Sequence, residues 1–351
     1  MRIVNASYEI EREVSLTKKI EKIARVCYKS EDRIGPGTDL EMIKDLMMRK
    51  HYAMLEHGSL VFQVDTQSYA DVIAYLHKVC RRFLDTVFSG RDVPFDVRLR
   101  YTNQCKERCV ISGNLRAWRE FLDLVWRGDM AVTEGIRLLI HALVDTIPFL
   151  MSESELLYFK GWICGEHDVS GMFVRRITDL SELTVSERMV HEDLTVKFVV
   201  DRGVTHELVR MRECSFAQES TRYCNYSLGK YNDEITVINP VFWDSGSRER
   251  KIWEDGCRAA EAAYMSLVQS GIKPQQARDV LPTSVKAEIY VTANLREWRH
   301  VLKLRACDST GPAHPQMKEV MVPLLEELKE DYGFALGDLI AGKDREALKS
   351  N

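Results

Sequence analysis

The sequence predicts a mixed α/β fold with a mostly helical middle, and three observations carry that prediction. Short runs alternating apolar and polar residues, RIVNASYEI, SLVFQVDT, LTVKFVVD and AEIYVTA, read as strands. Between the second and third of them lie stretches with the helical period, YADVIAYLHKVCRRFL, NLRAWREFLDLVW and VTEGIRLLIHALVDTI. With 351 residues and 45% hydrophobic content, the chain can bury a full core as one large domain or two.

In chain order, RIVNASYEI opens as a strand and IEKIARVCYKS continues as a helix. The turn-rich EDRIGPGTDL breaks them, and Asp39 is set to cap the next helix, LEMIKDLMMRK. HYAMLEH then brings His51, Glu56 and His57 to the edge of the strand SLVFQVDT. The helical stretch from 66 to 190 offers little obvious chemistry and reads as an insertion between 1–65 and 191–351. The strand LTVKFVVD is followed by HELVRMRECSFAQESTRYCNYS, residues 206–227. After the loop NDEITVINPVFW, a helix runs to a stop at Gly271, and Pro282 ends QQARDVLP. The strand AEIYVTA leads into NLREWRHVLKLRA, whose buried stripe is Leu295, Trp298 and Leu302, and a last helix runs through EVMVPLLEELKEDY.

One internal echo sets ISGNLRAWREFLDL at 111–124 against VTANLREWRHVLKL at 291–304, with about half the positions identical. It reads either as a shared strand-to-helix packing solution or as a duplication. His300 and Arg305 of the second copy correspond to Glu120 and Val125 of the first.

A formal net charge of −4 and a pI near 6.2 argue against wholesale binding of a nucleic-acid backbone, so an anion bound here is small and met locally. Nine cysteines form an odd set without a regular framework, and MRIVNASYEIEREVSL lacks the apolar core of a signal peptide, so reduced thiols in a cytoplasmic protein are expected. No apolar run approaches the roughly 20 residues that cross a bilayer. Cys105 and Cys109 have no second pair or nearby histidine, so no metal site is assigned.

Arginine suits oxyanions because its planar fork stays charged and donates two parallel hydrogen bonds. In SFAQESTRY, Ser220 and Thr221 add hydroxyls beside Arg222, a cradle for one phosphate, although Glu207, Glu213 and Glu219 could equally pair with the arginines on a solvated face. Arg210 and Arg212 would point apart on a continuous helix, so one shared site requires the helix to end before them. Arg296 and His300, four apart, share a helix face; Asn294 fits an N-cap, and Arg305 at the helix end suits the macrodipole.

Taken together, the motifs resemble the flavin-dependent thymidylate synthase family. Its Arg-His-Arg triplet, serine and Arg-Tyr pair correspond to RMRECSFAQESTRY. HYAMLEH resembles its His-Glu-x-x-x-Glu-His element, QQARDVLP its Ala-Arg-x-x-Leu-Pro element, and VTANLREWRHVLKLRA with AHPQM its C-terminal flavin and nucleotide segment. The resemblance implies an α/β (α+β) fold with a central antiparallel sheet flanked by helices, here with a mostly helical insertion, assembled as a homotetramer. It implies methylation of dUMP at carbon 5, with FAD as cofactor and methylenetetrahydrofolate and NADPH as co-substrates, and no nucleic-acid or membrane partner. By the same resemblance Gln218, Glu219, Ser220, Thr221, Arg222 and Arg278 hold the nucleotide with Glu207 and Arg210, and Arg305 sits catalytically against the pyrimidine carbonyl. Arg210, Met211, Arg212, Asn294, Arg296, His300 and His314 line the flavin, with Glu56 and His51 nearby.

Three features depart from the family's pattern. Met211 stands where histidine is usual, and a thioether cannot donate a hydrogen bond or carry charge. Glu207 stands where many members have glutamine; either it pairs with Arg210 one turn away, or it accepts from a base amino group, which would redirect the enzyme to another pyrimidine nucleotide, UMP or dCMP. The long 66–190 segment is the third. A lapsed nucleotide- or flavin-binding regulator, with Met211 marking lost catalysis, is the reading from a different class.

Overall fold

The computed structural model describes residues 1–74, 99–105, 108–128, 132–163 and 171–342. The strands, in chain order, are β1 (Arg2–Val4), β2 (Ser7–Ile10), β3 (Ser59–Val64), β4 (Leu99–Cys105), β5 (Arg108–Asn114), β6 (Val174–Ile177), β7 (Asp193–Asp201), β8 (Ser215–Gln218), β9 (Thr236–Ile238) and β10 (Lys286–Asn294). The chain divides into two compact units, one of Met1–Val14, Lys22–Ile34 and Leu194–Asn351, the other of Ser15–Glu21 and Gly35–Asp193.

The first unit is built on a four-stranded sheet of order β2-β7-β10-β8, antiparallel at β2–β7 and at β10–β8. Burial follows position in the sheet. The edge strand β2 alternates exposed and half-buried residues, whereas β7 and β10 are buried along most of their length, as expected of central strands covered on both faces. RIVNASYEI is therefore two strands, and the first, β1, pairs in parallel with β9 in a separate ribbon. The helix Leu295–Arg305 follows β10 directly, burying Leu295, Trp298 and Leu302 as its spacing predicts. Trp298 anchors it: the indole Nε1 donates to the Leu194 carbonyl at 2.9 Å, satisfying the one polar atom of a fully buried ring.

The second unit has a sheet of order β4-β5-β3-β6, antiparallel throughout, with β3 and β5 central. The stretch read as mostly helical thus carries three strands, β4, β5 and β6, and residues 35–65 lie in the same unit as these strands. The helix Leu115–Trp126 follows β5, and Trp118 packs edge-on against Phe62 of β3 at 5.5 Å. The predicted helix YADVIAYLHKVCRRFL is helical from Tyr69 through residue 74; its remainder lies outside the described residues.

The two units share one plan. In each, a central strand runs into a helix capped by asparagine, Asn114 at φ −74°, ψ 165° and Asn294 at φ −75°, ψ 166°. Each amide oxygen accepts from the backbone N–H three residues on, at 2.8 and 2.9 Å. Elsewhere the capping prediction fails: Gly37 caps the helix Thr38–Met48 at φ 79°, and Asp39 sits inside its first turn. That left-handed conformation is open to glycine and costly for aspartate. Among the described residues no helix is long and apolar enough to cross a membrane.

Candidate functional site

The helix Arg202–Leu208 ends before the arginine triplet, which frees Arg210 and Arg212 from the opposed directions a continuous helix would impose. Both side chains are exposed, while Met211 between them is buried against the unit. The chain then enters β8, and Gln218 at its end donates to Thr205 Oγ1 at 2.9 Å.

Beyond β8 the signature segment is held by a buried ion network. The Glu219 carboxylate, 2% exposed, lies 3.1 Å from Lys286 Nζ and 3.5 Å from Lys29 Nζ, and accepts from the Glu288 backbone N–H at 3.1 Å. Lys29 also reaches Glu288 at 2.7 Å, and Lys197 closes the group on Glu288's other oxygen. Burial alone would raise Glu288's pKa, yet Lys286 and Lys29 hold it well below the usual carboxylate range. Burial likewise opposes the charge on Lys29, and Glu219 with Glu288 outweighs it, holding the ammonium above its ordinary pKa. Glu219, expected on the nucleotide, therefore has its carboxylate committed to lysines, and what it positions is the segment that follows. Lys29, Lys286 and Glu288 carried no motif in the sequence; Lys29, at φ 50°, takes a conformation rare for a residue with a side chain.

Of the residues that follow, Ser220 is half-buried and Thr221 buried. Ser220 Oγ accepts from the Arg222 backbone N–H at 3.3 Å, and the Arg222 side chain is exposed. Thr221 Oγ1 lies 3.4 Å from Nη1 of Arg278, so the arginine of QQARDVLP meets the signature within one unit. A second distant arginine does the same. Arg305 Nη1 approaches Glu207 Oε2 at 3.4 Å and Nη2 the Glu207 carbonyl at 3.4 Å, long distances that hold the guanidinium loosely. Its buried Nε has no hydrogen-bond partner among the described residues. Glu207 thus pairs with Arg305 and not with Arg210, whose backbone N–H alone reaches back to the Glu207 carbonyl.

On the helix Leu295–Arg305, Arg296 and His300 are exposed. Beside Arg296, Glu297 is pushed up to about 7 by burial and by Glu213, with Arg296 opposing. An acid three residues after a capping asparagine is the signal that could have marked it. His314 caps the helix Pro315–Leu336, its Nδ1 accepting from the Gln316 N–H at 3.4 Å, and its ring meets Phe242 edge-on at 5.6 Å. Both rings line a cavity of about 290 Å³ inside the first unit, together with Asp201, Glu207, Trp243, Trp253 and Gln316. His51 and Glu56 belong to the second unit: His51 is exposed before the 3-10 turn Tyr52–His57, and Glu56 is paired with Arg116 at 2.8 Å.

The cysteines near the motifs are packing residues. Cys214, Cys224 and Cys307 are buried, and burial pushes the Cys224 thiol up to about 12, the reverse of an activated nucleophile. Cys109 is buried; the side chain of Cys105 lies outside the described residues.

The family model for thymidylate synthase complementing protein matches residues 160–332, a span that includes every clustered arginine above. The flavin-dependent thymidylate synthase of Corynebacterium diphtheriae is 30% identical over 182 residues, 47% of this chain and 68% of that protein. The chain belongs to the flavin-dependent thymidylate synthase family. Those of Geobacter sulfurreducens and Pyrococcus horikoshii are 30% and 33% identical over 45% and 42% of this chain, which spans 64% and 59% of their lengths, less than two thirds of each. A solved structure described as the UMP/dUMP methylase PolB from Streptomyces cacaoi, bound with 5-Br dUMP, covers 95% of this chain and 93% of its own at 15% identity and a TM-score of 0.35. This flavin-dependent thymidylate synthase family member keeps Arg210 and Arg212 exposed and buries Met211 between them.

Proposed function

We propose that this chain is a flavin-dependent thymidylate synthase that methylates dUMP at carbon 5, with methylenetetrahydrofolate as carbon donor and NADPH as reductant. One observation carries the reading: Arg278 and Arg305, 57 and 98 residues from their partners Thr221 and Glu207, both converge on the signature segment.

Ser220, Thr221, Arg222 and Arg278 supply hydroxyls and guanidinium forks for a single phosphate, the charge-assisted pattern that phosphate recognition favours. Carbon 5 of uracil becomes nucleophilic when negative charge builds on the ring. A guanidinium already fixed against the pyrimidine, as Arg305 is proposed to be, stabilises that charge without reorganising. Its long contacts to Glu207 leave its guanidinium donors to give.

The first unit's exposed Arg210, Arg212, Arg296 and His300 fit the pyrophosphate charge of FAD, and these residues would hold it. When bound, the flavin would pass the reducing equivalents that turn the transferred carbon into a methyl group. Met211, buried between Arg210 and Arg212, presents no hydrogen-bond donor to that cofactor.

The test is incubation of purified chain with FAD, NADPH and methylenetetrahydrofolate against dUMP, UMP and dCMP in parallel, with products separated by mass. Methylated product from dUMP is expected. Product from UMP or dCMP alone would move the assignment to another pyrimidine nucleotide, and nucleotide and flavin binding without any product would support the lapsed regulator.

A further inference from the structure

Arg202 opens the helix Arg202–Leu208 and lies outside every motif read from the sequence, yet it is tied to three segments that meet at the signature. Its backbone N–H donates to the Thr283 carbonyl at 2.9 Å, a few residues past Arg278. Its carbonyl accepts from Thr205 Oγ1 at 3.0 Å, the same hydroxyl that takes the Gln218 amide. Its side chain reaches the signature itself: Nη2 donates to the Glu219 carbonyl at 3.1 Å.

That bond fixes the peptide from which the proposed phosphate cradle starts. On the other side of the same peptide, the Ser220 N–H donates to the Cys27 carbonyl at 3.4 Å. The Cys27 bond is long and neutral, whereas the Arg202 bond is shorter and charge-assisted, so the guanidinium is the stronger restraint on the peptide plane. The Glu219 carboxylate, held by Lys286 and Lys29, anchors the side chain but leaves that plane free to turn.

The charge of Arg202 is also left over. Arg100, Arg188 and Arg250, half-buried as it is, each pair with a carboxylate at 2.6–2.9 Å. Arg202 has no carboxylate partner among the described residues, and its buried Nε has no acceptor there. A cation partly withdrawn from water and unpaired costs free energy that an anion bound close by recovers. We infer that Arg202 is a positioning residue for the nucleotide's phosphate: it sets the peptide that carries Ser220, Thr221 and Arg222, and its unneutralised charge favours a dianion on that segment. The inference rests on the reading of Ser220, Thr221, Arg222 and Arg278 as the phosphate cradle.

Titration of the full chain with dUMP and with deoxyuridine, which keeps base and sugar and lacks the phosphate, tests it. The wild-type chain should prefer dUMP. Arg202→Met should weaken dUMP binding by about ten- to a hundredfold, the range for one hydrogen bond to a charged group, and leave deoxyuridine binding unchanged. Arg202→Lys keeps a charged donor and should bind dUMP more tightly than Arg202→Met does. A merely structural role would weaken both ligands together, so a dUMP-to-deoxyuridine preference that survives intact in Arg202→Met overturns the inference and leaves the methylation reading standing. A wild-type chain without that preference would remove the cradle, and the role of Arg202 with it. Should Arg202→Met fail to fold, as judged by circular dichroism, Arg202→Gln removes the charge and is judged by the same preference.

Discussion

Arg305 is the side chain on which the proposed chemistry turns, because it ends its helix with a buried Nε and only long contacts to Glu207. If it stabilises charge on the pyrimidine, Arg305→Ala should lower kcat by about 10²–10³, the range for losing one preorganised donor, while leaving flavin affinity nearly unchanged. Equal losses in turnover and in flavin binding, measured by steady-state kinetics and fluorescence titration, would show that the residue serves the cofactor instead. Glu297 makes a separate prediction through pH. Its folded pKa of about 7 lies above its ordinary 4.5, so between those values the folded state binds more protons than the unfolded one. Its contribution to stability is fully present below about pH 4.5, falls as pH rises, and is lost above about 7. Glu297→Gln should therefore melt higher than the wild-type chain at pH 8 and differ little at pH 4.5; an equal difference at both would remove the carboxyl as its cause.

At the scale of elements, Asn294 shows how a structural role and a proposed functional one are separated. Its amide oxygen caps the helix Leu295–Arg305, so Asn294→Ala should cost about 1 kcal/mol of stability. Asn294→Ser restores a capping oxygen without the amide. The expected result is recovery of the melting temperature without recovery of flavin affinity; recovery of both would reduce Asn294 to a cap. The cap itself was legible from an asparagine at a strand-to-helix junction, and β3, β7 and β10 were legible because central strands are long and apolar. β6 was not, since VRRI places two arginines in four residues at a sheet edge, and helical neighbours dominate its surroundings in sequence. The arginines could be read by type, but their partners could not. Glu207 had Arg210 one turn away, and only the folded chain brings Arg305 to it. The same holds for Lys29, Lys197 and Lys286, scattered in sequence and gathered by the sheet around Glu219 and Glu288. Breaking such a buried network strands its charges, so Lys29→Met should cost about 3–5 kcal/mol in denaturant unfolding. Nucleotide affinity should fall with it, because Glu219 leads directly into Ser220–Arg222.

For the whole molecule, the shared plan of the two units decides how many sites one chain can offer. In both sheets the third strand of the orders β2-β7-β10-β8 and β6-β3-β5-β4 runs into a helix begun by the repeated Asn-Leu-Arg, at 294–296 and 114–116, while the edge strands β2 and β6 fall at opposite ends of the chain order. The chemistry has diverged. Where the first unit has exposed Arg296 and His300, the second has Arg116 paired with Glu56 at 2.8 Å and with Glu120 at 2.7 Å, so its cation is already neutralised. Where the first has Arg305, the second has Val125, buried at 1% exposure. A unit with its arginine paired internally and a valine at the position of Arg305 has little left to hold a phosphate or a charged base. The chain should therefore bind one nucleotide, not two, and all of it through the first unit. Calorimetric titration of the FAD-loaded chain with dUMP should give a stoichiometry near one per chain, and Arg278→Ala should abolish the heat without creating a weaker second phase. A stoichiometry near two, or a residual phase in the variant, would mean that the second unit still binds and that its paired arginine yields to the ligand.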